Sequence, residues 1–178
     1  MIITISGTPG SGKSTAAKII ARKLKLEHYS TGDFMRQLAE ENKVSILEFS
    51  KQAEKDRSID EELDQRQINL GREKDDFVID GRLSWHFIPN SIKVFIDAEV
   101  NARAERIFHD HIRKELNVTL ESTKKKLKER ESSEIKRYKK YYSINPYNKK
   151  NYDLVVNSTK LEPEDVAEKV IEFVKNHK

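Results

Sequence analysis

The chain has 178 residues, 36% of them charged and none a cysteine, with 34 Lys and Arg against 30 Asp and Glu for a formal charge of +4. Its length suits one domain able to bury about 70% of the surface its unfolded chain exposes, and the lack of cysteine excludes a disulfide framework, a thiolate metal site and a cysteine nucleophile together. The first residues turn polar at once without a basic region, and no apolar run approaches the ~20 residues of a membrane span, so a cytoplasmic protein with no membrane partner is expected.

An alternating apolar strand fits 2–6, and a Gly-rich turn leads to a helix over about 13–25 with Ala17, Ile20, Ala21 and Leu24 on one face. A short strand follows at 26–30. Helical spacing returns over 33–42, where Phe34, Leu38 and Glu41 form a mixed face, then around Ile46, Leu47 and Phe49, and again between Leu63 and Ile68. Phe77, Val78 and Ile79 read as a buried strand ending at Asp80 and Gly81. A strand over 92–96 ends at Asp97 and precedes a helix carrying Ala98, Ala102, Arg103 and Ile107. The segment from about 119 to 142 is helical, basic and poor in large apolar side chains. A fifth strand fits 154–156, and a last helix starts near Pro163, a residue suited to a first turn, with Val166, Val170, Phe173 and Val174 expected inside. This rhythm predicts an α/β domain of three layers, a five-stranded parallel sheet covered on both faces.

The charge is uneven. Between Arg113 and Lys150 thirteen Lys and Arg face five Glu, a local +8, which leaves the rest of the chain at −4. Nucleic acid, an acidic membrane or a phosphorylated small molecule could each answer such a segment.

Gly7, Thr8, Pro9, Gly10, Ser11, Gly12, Lys13 and Ser14 match G-x-x-x-x-G-K-[ST] in full, after a strand and before a helix, with Thr15 next. Glycines let backbone N–H groups turn inward as an anion nest, and the helix N-terminus adds its dipole. Lys13 brings a mobile charge to the β- and γ-phosphates of a nucleotide such as ATP. Ser14 is placed to ligate Mg²⁺, and Asp80, at the end of an apolar strand, can approach that metal through water. A guanine-reading N-K-x-D motif is not met: Asn148, Lys149, Lys150 and Asn151 lack its carboxylate.

Thr31, Gly32, Asp33 and, three residues on, Arg36 start a helix. A capping Thr or Asp with an exposed arginine would look the same, but behind a P-loop the pattern resembles the nucleoside monophosphate kinases, whose arginine grips the acceptor phosphate. Asp80, Gly81, Arg82, Leu83 and Ser84 depart from the Gly-Phe-Pro-Arg of adenylate kinases and look like the Gly-Arg turn of cytidylate kinases. The run 94–98 with Arg103 and the pair Arg130 and Arg137 look like the corresponding parts of cytidylate kinases, and the Tyr- and Lys-rich run 137–142 with the run 152–159 is most similar to the archaeal type, so the resemblance covers almost the whole chain. Seven residues on a helix return two arginines to one face.

The resemblance implies a core of 1–30, 75–112 and 151–178, a helical NMP-binding insertion at about 31–74 and a basic lid at about 113–150. It also implies transfer of the ATP γ-phosphoryl to CMP, and dCMP, with Mg²⁺. Lys13, Arg130 and Arg137 would serve the transferring group, Ser14 and Asp80 the metal, and Asp33, Arg36, Arg82 and Arg103 the acceptor, in a monomer with no nucleic-acid partner. Glu134, at the position of the family's lid carboxylate, would accept from the cytosine amino group or simply pair with a neighbouring cation; Arg82, Arg66 and Gln67 are secondary candidates. Adenylate and UMP/CMP kinases, and a nucleotide-dependent factor in RNA or ribosome assembly, are the alternatives. His109, Asp110 and His111 are read as a solvated helix end and Trp85 as packing.

Overall fold

Strand alternation sets the architecture. The computed structural model describes residues 1–53, 55–110 and 119–177; His111 and the 113–118 part of the expected lid lie outside them. Strands β1 (Ile2–Gly7), β2 (Glu27–Ser30), β3 (Phe77–Asp80), β4 (Ile92–Asp97) and β5 (Leu154–Asn157) form one parallel sheet ordered β2-β3-β1-β4-β5. Ile3, Ile5, Val78, Val94 and Ile96 pack on helices α1 (Lys13–Leu24) and α8 (Pro163–Asn176), in a core that includes Ile20, Val166, Val170 and Val174. Their sequence neighbours face the other layer, where Phe77 and Ile79 meet Ile88, Phe34 and Leu70. Two-sided burial of this kind is what a parallel sheet requires.

The helical segment between β2 and β3 comprises α2 (Thr31–Glu41), α3 (Ile46–Ala53) and α4 (Arg57–Glu73). It has a small core of its own, Leu38, Ala39 and Phe49 with Met35, Ile59 and Leu63. The chain continues through α5 (Ser84–Phe87), a single turn with no apolar period to announce it, then α6 (Val100–Phe108) and the 23-residue α7 (Leu120–Tyr142). Thr119 and Ser122 cap α7 reciprocally at its start. Phe173, expected in the core, is only partly buried and stacks on His177; Ala167 and Ile171 complete the buried stripe of α8 instead. Trp85 packs edge-on against Tyr152.

The sheet order has a direct consequence for function. The chain leaves β1 for one side of the sheet and later crosses to β4 on the other, which opens a crevice at the carboxyl ends of β1, β3 and β4. Gly7, Asp80 and Asp97 end those three strands.

Candidate active site

The turn after β1 is held open as an anion nest. Gly10 and Gly12 have φ of 82° and 84°, and a Cβ on Gly10 would also stand 2.9 Å from the Arg103 carbonyl oxygen, so both positions require glycine. Thr8 Oγ1 donates to Asp97 Oδ1 at 3.1 Å, and Ser158 Oγ donates to Ser11 O at 2.9 Å, tying the loop to the ends of β4 and β5. Arg106 reinforces this, donating to Ser158 Oγ at 3.1 Å and Ser158 O at 2.6 Å. Gly10 through Thr15 line a cavity of about 470 Å³ together with Arg106, Ile107 and Ser158.

On the other side of the loop, Ser14 Oγ donates to Asp80 Oδ2 at 2.7 Å, Lys13 Nζ lies 3.8 Å from the same oxygen, and His28 Nε2 lies 2.9 Å from Asp80 Oδ1. Burial alone pushes the Asp80 carboxyl up, but His28, Lys13 and Ser14 together hold it below the usual carboxylate range. Lys13 is pushed down to about 8 by burial and by Arg82, with Arg130 adding to the effect and Asp80 and Glu134 opposing it. Cations thus outweigh anions at this point, the condition a polyphosphate relieves. Two converging protein oxygens suit Mg²⁺, which takes one or two protein ligands and completes its octahedron with phosphate oxygens and water. Ser14 and Asp80 fit that ion.

Basic residues continue from there. Lys13, Ser14, Asp33, Arg36, Asp80, Arg82 and Arg130 line a cavity of about 270 Å³, which shares Thr31, Gly32, Arg82 and Arg130 with a larger one of about 680 Å³ bounded by α4 and α7. Ser6, on the polar-tolerant face of β1, donates to Gly81 O at 2.7 Å and Arg82 O at 3.1 Å and so fixes the turn that presents Arg82. Arg82 Nη1 donates to Gly7 O at 2.9 Å and its Nε to Glu134 Oε2 at 2.7 Å, linking the P-loop to α7. Asp33 pairs with Arg36.

The structure brings most of the expected residues together but not all in the expected places. Glu134, expected at the base, has both oxygens engaged: Oε2 by Arg82 and the Tyr147 hydroxyl, Oε1 by Arg130 Nε at 2.9 Å. Burial works to raise its carboxyl, and Arg82, Tyr147 and Arg130 hold it low. Arg137 lines the larger cavity without reaching the smaller one, with its Nη2 bonded to the Tyr138 hydroxyl at 3.1 Å. Arg103 stands apart from both cavities. It is buried beneath the P-loop, where Nε donates to Ala98 O at 2.8 Å, Nη1 to Pro9 O at 3.3 Å, and Glu131 of α7 pairs with it. The physical reason is its position on the α6 face turned toward the loop. Arg66 pairs with Glu41 and Glu62 on the surface, whereas Gln67 is buried, accepts from Ser84 Oγ at 2.8 Å and lines the larger cavity. His28 and Arg106 carried no sequence signal, because each acts on a partner more than fifty positions away.

A P-loop with its serine and strand carboxylate, opening at a sheet switch point onto an arginine-lined cleft, defines a kinase of the P-loop class. Solved structures share the fold. An uncharacterised protein from Eubacterium ventriosum superposes with a TM-score of 0.75 at 19% identity, covering 98% of each chain. Shikimate kinase from Aquifex aeolicus gives 0.65 at 21% identity, covering 99% of this chain and 98% of that one. Within the class, this chain belongs to the cytidylate kinase-like family, whose profile it matches over residues 2–160. It is 40% identical to the cytidylate kinase of Methanocaldococcus jannaschii over 183 aligned residues, spanning 100% of this chain and 99% of the relative. It is 41% identical to that of Archaeoglobus fulgidus over 175, spanning 98% and 94%.

Proposed function

We propose that this enzyme transfers the γ-phosphoryl group of ATP to CMP, and to dCMP, giving ADP and the corresponding diphosphate. The observation that carries this reading is the second arginine-lined cavity, which joins Lys13 and Ser14 of the P-loop to Asp80 of β3 and so suits a second phosphate beside the first. ATP occupies the P-loop with its base toward Arg106. CMP enters between α2, α4 and α7, its phosphate on Arg36 and Arg82. The segment 31–74 acts as the acceptor insertion and 113–150 as the lid.

The acceptor is a phosphate already anionic at neutral pH, so no general base is needed. The barrier lies in aligning two polyanions and dispersing charge on the transferring group. Arg82 and Arg130 do this, with Glu134 holding both guanidinium groups in the cleft. Arg137 supports the acceptor end, and Arg103 supports the loop from below rather than touching substrate. Ser14 and Asp80 would hold Mg²⁺, which when bound would supply further charge neutralisation to the phosphates. Docked against the cleft, α7 keeps water from the γ-phosphate. The enzyme acts as a monomer on cytoplasmic substrates.

Coupled assay of ATP-dependent turnover on CMP, dCMP, UMP and AMP tests the reading. CMP is expected to be the best ribonucleotide acceptor, and Arg130→Ala to lose about 10²-fold or more in kcat. A better rate on AMP or UMP would overturn the specificity.

A further inference from the structure

The end of the acceptor cavity away from Lys13 is walled by α4 and α7. Asp60, Asp64 and Gln67 recur at intervals of four and three, which puts them on one face of α4, and that face lines the cavity opposite Arg137 and Tyr142. Asp64 Oδ2 accepts from the Tyr142 hydroxyl, and Asp60 Oδ1 lies 3.9 Å from Arg137 Nη2. Asp60 is only 13% exposed. A carboxylate can accept about four hydrogen bonds; among the described residues, Asp64 receives one, from Tyr142. Arg137 Nε is likewise buried without a partner among the described residues. Hydrogen-bonding capacity is therefore left over at this end of the cavity. Burial pushes the carboxyl of Asp64 up to about 6 and that of Asp60 in the same direction, so neither charge is fully compensated in the free protein.

A nucleotide with its phosphate on Arg36 and Arg82 extends its base along the cavity toward this wall. Cytosine presents an exocyclic amino donor where uracil presents a carbonyl acceptor. A carboxylate satisfies the first and repels the second, leaving two buried acceptors face to face. Glu134 is already saturated by Arg82, Arg130 and Tyr147. We infer that Asp64, with Asp60 beside it, selects cytosine over uracil by accepting a hydrogen bond from the exocyclic amino group. This assignment rests on the CMP kinase reading above.

Asp64→Asn keeps the shape and replaces one acceptor oxygen by a donor that suits uracil. Its kcat/KM for CMP should fall about 10–100-fold, that for UMP should hold or rise, and KM for ATP should not change. An unchanged CMP-to-UMP ratio in a variant with wild-type thermal midpoint overturns the assignment.

Should that variant not fold, the wild-type pH profile decides. The ratio should fall as pH drops through about 6, because protonated Asp64 becomes a donor. The 5′-phosphate is common to both nucleotides and cancels in the ratio. The groups facing Asp64 are Asp60 and Glu61 on α4, Arg137 and Tyr142 on α7, and His86 of α5, which meets the Tyr142 ring at 6.1 Å. His86→Gln should keep the profile, and a profile lost with His86, or a ratio flat with pH, overturns the assignment. If the wild type itself shows no preference for CMP over UMP and AMP, it is the parent reading that fails. A wild-type preference that survives Asp64→Asn removes this assignment alone.

Discussion

Lys13 shows how a buried P-loop lysine can oppose folding. Its ammonium titrates near 10.5 in an unfolded chain and at about 8 in the fold, held down by burial, Arg82 and Arg130. The folded chain therefore binds fewer protons between those values, and its stability rises with pH through that window. Near neutral pH the charged side chain costs about 3 kcal/mol. Lys13→Met should accordingly raise the thermal midpoint of the free protein, seen by calorimetry, while removing turnover; a lowered midpoint would contradict the charge imbalance. His28 makes a different kind of prediction, because it orients Asp80 at 2.9 Å from the carboxylate edge not used by Ser14. His28→Ala should raise the half-saturating Mg²⁺ concentration about 10-fold, and His28→Gln, which retains a donor, should recover part of it. The P-loop residues were legible because they are neighbours in the chain. His28 was not, because its partner arrives from another strand.

At the scale of elements, α7 is attached through charge and through aromatic contact. Of its residues Thr123 and Leu127 are buried; Glu131 pairs with Arg103, Glu134 with Arg82 and Arg137 with Asp60, and Tyr142 bonds Asp64 and packs edge-on against Phe87. Glu131→Ala leaves the buried Arg103 with carbonyl partners only and should cost about 2 kcal/mol, a drop of about 4–8 °C in thermal midpoint for a chain of this length. The same variant should weaken ATP binding, since Arg103 also supports Pro9. Helix and strand positions were readable along the chain because hydrophobic period is a local signal. The placement of Arg103 under the loop was not, because its helical spacing suits a solvated arginine equally well.

Across the whole molecule, the order β2-β3-β1-β4-β5 gathers Gly7, Asp80 and Asp97 at one crevice, and Arg130 of the basic α7 lines the cavity beside Asp80. A compound joining adenosine and cytidine through a phosphate chain would span both cavities. At 100 times its Kd it should add about 2.7 kcal/mol of stability, or about 5–10 °C in a thermal scan. If the +8 segment served RNA instead, the protein would be retained on RNA with steep salt dependence; no retention at physiological salt is expected. By itself the sequence determined the α/β class, the P-loop, the family likeness and the concentration of charge, since all of these are written in adjacent residues or in periodic spacing. Only the tertiary structure decided that Glu134 clamps two arginines, that Arg103 lies buried beneath the P-loop, and that Asp60 and Asp64 line the larger cavity. Those roles depend on which side chains from distant segments share one low-dielectric space, and neither spacing nor composition encodes that.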